Sequence, residues 1–584
     1  MNIYNDLESL IKKKIKSKSK DLGIPIEVKS YRFNIERSKN PDRGDISTNA
    51  AMVFAKPLNI KPRLLGEWLT KELKCSAHIQ SAEIAGPGFL NIRMKNDFWH
   101  SALKEILIEG PEYGKSELGI GKKVNIEYVS ANPTGPMHVG HGRGAIVGDV
   151  LANLLEKAGF DVTREFYIND AGKQIDILAH SVFFRYQQAL GKEISNIPEG
   201  LYPGEYLMDT GKKLAEMYGG KWLEVDKSKW LPTIKEFAVK EMLGLIRKDL
   251  ELLGVKHKIF TSEKSLIDAF AIDEVIEYLE QQNLVYTGLL EEPKGKKSKD
   301  WEKRPQLLFR SSKFGDECDR PLKKSNGTNT YFASDIAYHR DKYLRGFNKM
   351  IDVWGADHKG YVRRMEAAVS AITGDNGTLE VRLCNLVNLF EDGEPIKMSK
   401  RAGRFVTLAD VIDAVGKDVV RFIMLTRSNE ATLDFDLSKV KEQSKDNPVF
   451  YVQYAHARTC SVIRNAAETF PYLSLDDSRL ANADQKLIVD MDGYELVKLL
   501  CNWPKVVESA ALAQEPHRIV FFLSEIASAF HTFWNRGNED ESYKFIIPSS
   551  AEKTVARVAL ARAVAIVIAS GLAIVGVEAV EEMR

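Results

Sequence analysis

Apolar residues recur at helical spacing from Leu7 to Ile15, which predicts an opening helix. Gly44 to Met52 reads as a turn followed by a helix capped by a serine or threonine. Ala82 to Met94 reads as strand, a Gly86-Pro87-Gly88 turn, and strand. These segments predict a small α+β unit over residues 1–115. The rhythm changes near Gly121. Val124 to Val129 alternates like a strand, Gly142 to Ala158 has a helical period ended by Gly159, Val162 to Ile168 is strand, and Gln174 to Leu190 is helix. Strand and helix in this alternation predict a βαβ unit of a parallel sheet. Residues 191–300 are mostly amphipathic helix and loop, an insertion that ends in a basic stretch at Lys294 to Lys299. The strand pattern returns at Thr330 to Phe332, Met350 to Trp354 and Arg382 to Phe390. Leu408 to Leu437 reads as helices with a crossing segment, and from Asn447 the chain is helical. The expected fold class is α/β. A Rossmann-type core over residues 116–440 stands between the α+β unit and an all-α bundle over residues 441–584.

Composition adds mainly exclusions. A chain of 584 residues has room for several cores. Its 44% hydrophobic and 28% charged residues are ordinary for a globular protein, and a net charge of +1 announces no global field for nucleic acid. Five scattered cysteines with no C-x-x-C pair argue against a structural zinc or a disulfide framework and fit a reducing compartment. The start of the chain lacks an apolar signal core. The apolar run Ala563 to Val577 is too short for a membrane span and reads as a buried helix. These features lead us to expect a cytoplasmic protein with no membrane partner.

Two short motifs stand at strand ends. His138-Val139-Gly140-His141 follows a turn stiffened by Pro133 and Pro136. A helix beginning near Gly142 would aim its N–H groups and positive dipole end at an anion. Gly140 would let a nucleotide lie close to the backbone, and the imidazoles would donate to phosphate oxygens. An isolated match of this kind also describes two surface histidines beside a tight turn. Its position at a βα switch favours the nucleotide reading, because open parallel sheets bind ligands there. Lys397-Met398-Ser399-Lys400 follows the apolar run Leu383 to Leu389. Its lysines can meet charge that builds as pyrophosphate leaves, although a basic turn alone is commonly solvated surface. Gly355-Ala356-Asp357-His358 follows the strand ending at Trp354.

The two motifs in this order resemble the signature of class I aminoacyl-tRNA synthetases, and Glu127 to Arg143 looks specifically like the arginyl-tRNA synthetase family. The resemblance extends over nearly the whole chain. Gly44 to Ala51 and Gly86 to Arg93 look like that family's N-terminal domain. Tyr167 to Gln174 and Tyr202 to Tyr206 look like catalytic-domain signatures, and Asn447 to Arg458 looks like the start of an anticodon-binding domain. The intact Lys-Met-Ser-Lys departs from the many arginyl enzymes in which this loop is degraded.

The resemblance implies roles. His138, His141, Lys397 and Lys400 would be catalytic, and Gly140, Gly142, Asp357, His358, Met398 and Ser399 would line the ATP site. Glu127 and Ser130 or Asn132 would hold the α-amino end or the side chain of arginine. Tyr331 and Asp335, at an i, i+4 spacing on one helical face, would bracket the guanidinium. Phe89 and Asn91 alternate with Leu90 and share a strand face suited to an unpaired base of the tRNA elbow. The segment from Asp446 onward is more acidic than basic, so anticodon recognition would rest on stacking and base-edge contacts from Tyr451, Tyr454, His456 and Arg458. The implied substrates are ATP with Mg2+, arginine and tRNA(Arg). No DNA partner, no protein-held metal and a monomer are expected. Another class I synthetase, a small-molecule nucleotidyltransferase and an inactive tRNA-binding relative are the alternatives. The helical C-terminal segment argues against the second, and the intact histidines and lysines against the third.

Overall fold

A computed structural model describes residues 2–38, 40–194, 197–290, 304–396, 406–442, 447–488 and 491–583. Its centre is a five-stranded parallel sheet in the order Thr378–Cys384, Lys349–Gly355, Lys123–Tyr128, Asp161–Ile168 and Ile259–Ser262. The strand Lys123–Tyr128 is buried on both faces, as parallel strands covered by helices are. From it the chain winds outward in one direction through Asp161–Ile168, then later in the other through Lys349–Gly355. The order therefore reverses between Lys123–Tyr128 and Lys349–Gly355, and the crevice beyond their carboxyl ends is where such sheets hold ligands.

Several elements differ from the sequence expectation. The outermost strand, Ile259–Ser262, belongs to the segment read as an insertion, so that segment contributes to the sheet as well as to the helices Tyr206–Tyr218, Lys227–Leu252 and Ala271–Gln281. Thr330 to Phe332 is not strand. The Thr330 hydroxyl accepts from the Ala333 amide at 3.3 Å and caps the helix Tyr331–Leu344. Arg382 to Phe390 is broken at Asn385–Leu386. Its second half, Val387–Glu391, leaves the main sheet and pairs in parallel with Leu433–Asp436. The helix after the histidine motif is Val139–Lys157, starting three residues early because His138 itself caps it.

The N-terminal unit packs the helices Ile3–Asp21, Ala50–Ala55 and Pro62–Lys74 against a four-stranded antiparallel sheet ordered Ile35–Arg37, Ile46–Thr48, Phe89–Met94, Ile79–Ala85. The short helix Ala50–Ala55 has Asn49 at its cap position rather than a serine or threonine, while the Thr48 hydroxyl accepts from the Ala50 amide. The C-terminal part is helical around Ala551–Val575, which is buried along most of its length between Pro448–Thr469 and His517–Glu539. That helix is long and apolar enough to cross a membrane, yet 78% of its apolar window is covered by the protein itself. It is a core helix.

Candidate active site

Backbone strain marks the carboxyl end of the central strand. Val129 and Ser130 both adopt positive φ, +71° and +39°, and a β-branched residue there is a conformational outlier held by its surroundings. The bend turns the Ser130 hydroxyl back to donate to Glu127 Oε1 at 2.8 Å, while the Tyr167 amide donates to the same hydroxyl at 3.1 Å. Ser130 is thereby committed to joining the two strands. Asn132, two residues on, is exposed.

His138 and His141 form a reciprocal cap. The His141 amide donates to Nδ1 of His138 at 3.3 Å, and the His138 amide to Nδ1 of His141 at 3.4 Å. Both Nδ1 atoms accept, which puts the ring proton of each on Nε2. The rings stack with centroids 3.7 Å apart. A side chain on Gly140 would sit 3.1 Å from the His138 ring, and one on Gly142 would meet Leu408 at 2.7 Å. Gly140 thus clears the histidine pair, and Gly142 admits the helix Leu408–Val415. Arg143 is buried and donates to the carbonyls of Asn385, Ser428 and Ala431, anchoring the first helical turn to the loops behind it.

Lys397, Met398, Ser399 and Lys400 lie outside the described residues. The chain that follows them returns to the histidines. Thr407 bridges His138, and the Leu408 amide donates to the Met137 carbonyl at 2.9 Å. Asp357 and His358 occupy an exposed turn at the end of Lys349–Gly355, across the switch point from the histidines.

The helix Tyr331–Leu344 lies over one face of the sheet and pairs with it in successive rungs. Glu165, Glu127 and Asp352 align by register and so point to the same face. At the bottom, Arg345 forks onto Glu165 at 2.8 and 3.1 Å, and burial of that carboxyl is outweighed by the guanidinium, which holds it below its usual range. One rung up, the buried Lys342 ammonium donates to Glu127 Oε2 at 2.6 Å and Asp352 Oδ1 at 3.0 Å. His339 donates from Nδ1 to the Asp335 carbonyl and from Nε2 to Asp352 Oδ2. Burial alone would raise the Asp352 carboxyl, but Lys342 and His339 hold it down at about 2. Burial raises Glu127 despite Lys342 beside it.

The top rung has no cation. Asp335 accepts from the Tyr361 hydroxyl at 2.6 Å, yet burial pushes its carboxyl up to about 6. Glu263, at the start of the helix Glu263–Asp268, is pushed up to about 7 by burial first, then by the charges of Asp335 and Asp170. Among the described residues no lysine, arginine or histidine side chain forms an ion pair with either carboxyl. Asp335 and Glu263 are thus two desolvated carboxyls, the charge of the first raising the second. Tyr331 stands one turn above Asp335 and is 69% exposed. Sequence reading missed Glu263, Lys342, His339, Asp352 and Tyr361. The β-favouring run Ile259-Phe260-Thr261 before the Ser262 cap was a signal that a strand ends, and a helix starts, at Glu263.

Phe89 and Asn91 share the outer face of their strand, Phe89 being 40% exposed. Tyr454 is exposed and Tyr451 half-buried, and the Arg458 guanidinium lies 4.1 Å from the Tyr454 ring and 5.2 Å from that of Trp534. His456 points inward, with Nδ1 2.9 Å from the Val580 carbonyl, so it ties down the chain's end instead of facing solvent.

Three family profiles match the chain: "Arginyl tRNA synthetase N terminal domain" over residues 5–94, "tRNA synthetases class I (R), catalytic domain" over 102–463, and "DALR anticodon binding domain" over 452–583. The chain is 53% identical over 584 residues to an arginine–tRNA ligase of Parvibaculum lavamentivorans, and 51% identical over 592 residues to one of Rhodospirillum rubrum, with 100% of both partners covered in each case. Its fold superposes on the arginyl-tRNA synthetase of Thermus thermophilus with a TM-score of 0.74, 20% identity and full coverage of both chains.

Proposed function

The chain belongs to the arginyl-tRNA synthetase family, and from that premise we propose how its residues divide the work. The reaction is arginine–tRNA ligation. The arginine carboxylate attacks the α-phosphate of ATP, pyrophosphate leaves, and the arginyl group of the resulting adenylate passes to a terminal ribose hydroxyl of tRNA with release of AMP. No enzyme-bound covalent intermediate is needed, so catalysis is positioning and electrostatics.

Asp335 and Glu263 take the guanidinium, with Tyr361 orienting Asp335 and Tyr331 covering the pocket. The observation that carries this is the unpaired anionic top rung above rungs that are each internally matched. Glu127 and Ser130 shape the strained strand end near the reacting carboxylate, with Asn132 at its rim. Glu127 acts indirectly, because Lys342 already engages it. His138 and His141 donate from Nε2 to ATP phosphates, and Asp357 and His358 face the nucleoside across the switch point. Lys397 and Lys400 close on the departing pyrophosphate, and Met398 and Ser399 carry them. ATP enters as its Mg2+ complex. Phe89 and Asn91 meet the tRNA elbow, and Tyr451, Tyr454 and Arg458 meet the anticodon loop, with units near 1–115, 116–440 and 441–584. We further propose a cytoplasmic monomer.

ATP–pyrophosphate exchange across the amino acids, with and without tRNA, tests the reading. Exchange that is specific for arginine and needs tRNA is expected. Exchange driven equally by lysine would overturn the pocket assignment.

A further inference from the structure

One further buried polar group, Tyr167, stands beside the unmatched rung. Tyr167 closes the strand Asp161–Ile168, two residues beyond Glu165, and so points to the same face of the sheet. It is 6% exposed. Its backbone is pinned by the Ser130 hydroxyl, and its ring lies against that of Tyr338 with centroids 4.4 Å apart. Among the described residues its own hydroxyl has no hydrogen-bond partner. A phenol held this rigidly and left unpaired in the interior is a cost that folding alone does not explain.

Two other buried tyrosine hydroxyls share the lack of a partner. Tyr128 lies on the opposite face, against Gly148 and His257. Tyr338 sits lower, where the Lys342 ammonium is 4.4 Å from its ring and every neighbouring charge is matched. Tyr167 pairs in register with Thr261, two residues before Glu263, and its ring partner Tyr338 lies three residues after Asp335, so it stands between the segments that carry both carboxyls. Burial first, then the charges of Glu263, Asp335, Glu127 and Asp170, hold its hydroxyl ionisation far above the usual phenol range.

We infer that Tyr167 is a substrate-contacting specificity residue whose phenol oxygen accepts one N–H of an arginine guanidinium held by Asp335 and Glu263. This rests on the pocket assignment above and deepens it. A guanidinium presents five N–H donors in one plane, more than two carboxylates in a narrow pocket can take up, and a neutral acceptor is the fitting third wall. An ammonium gathers three donors on one nitrogen and lacks that planar fork.

The test is Tyr167→Phe beside Asp335→Asn, with aminoacylation measured at varied arginine and saturating ATP and tRNA, and with melting of both apoproteins. Tyr167→Phe is expected to raise the arginine KM about tenfold, leave the ATP KM within about twofold, and leave the apo Tm unchanged or higher, because the lost hydroxyl had no partner to lose. An arginine KM within about twofold of wild type overturns the inference, as does an apo Tm lower by more than about 5 °C, which would make the hydroxyl a structural partner. If Asp335→Asn raises the arginine KM and Tyr167→Phe does not, the Tyr167 contact alone is wrong. If neither does, the pocket assignment fails with it.

Discussion

Glu263 and Asp335 are buried carboxyls with no ion-pair partner among the described residues. Both are kept partly protonated near neutral pH by burial, and a bound guanidinium would ionise them. The cost of burying these carboxyls is legible in stability. Glu263 rises from 4.5 to about 7 on folding, so the stability it lends is fully present below pH 4.5 and is lost as pH climbs through 7, on the order of 3 kcal/mol by pH 8. Glu263→Gln should therefore raise the apo Tm relative to wild type at pH 8 and not at pH 5, while raising the arginine KM at least about tenfold. Parallel melting curves of the two proteins across that range would show that Glu263 is not desolvated. Asp335 is proposed for the guanidinium through the family resemblance, its i, i+4 spacing to Tyr331 showing only that the two share a helical face. Glu263 was not legible in the sequence, because its environment is made by three segments, around residues 170, 263 and 335, that only the closed sheet brings together.

The helix Val139–Lys157 starts on a residue with two duties. His138 caps the helix through Nδ1, and the same geometry fixes its proton on Nε2. Asparagine can also cap, whereas alanine cannot, at a cost of about 1 kcal/mol. His138→Asn should melt close to wild type and His138→Ala lower, and both should lose adenylate formation. An active His138→Asn enzyme would reduce the imidazole to a cap. At this scale the periodic elements were largely evident in the sequence: the βαβ unit, the hairpin around Gly86-Pro87-Gly88 and the buried terminal helix. The differences have separate causes. Thr330 to Phe332 looked like strand because its β-favouring residues outweighed the capping signal of Thr330. Ile259–Ser262 was absorbed into an insertion because four residues among long helices leave little periodicity. The burial of His456 is not legible in its own segment, because helical phase depends on which neighbours cover the helix, here the stretch around Val580.

Across the whole molecule the catalytic and C-terminal parts are joined by a buried charge. Arg421 pairs with Asp149 at 2.6 Å and donates to the carbonyls of Leu253 and Val575, linking the nucleotide-site helix, the long helix before Ile259–Ser262 and the terminal helix. A side chain on Gly576 would collide with that guanidinium. Arg421→Met leaves Asp149 buried beside only the more distant Arg164, 3.8 Å away, and should cost roughly 3 kcal/mol. Adding Asp149→Leu should restore part of it. A melting temperature unmoved by Arg421→Met would show that the joint is not a stabilising one. None of this is visible in the sequence, where the net charge of +1 says nothing of a buried pair 272 residues apart.

The central claim is that arginine completes an anionic rung that is partly protonated without it. Calorimetric titration of arginine into the tRNA-saturated protein at pH 6.5, in two buffers of different ionisation enthalpy, measures this directly. With carboxyls at about 6 and about 7, release of about one proton per arginine is predicted at that pH, declining towards zero above pH 8. Binding heats that do not depend on the buffer at pH 6.5 would contradict the account.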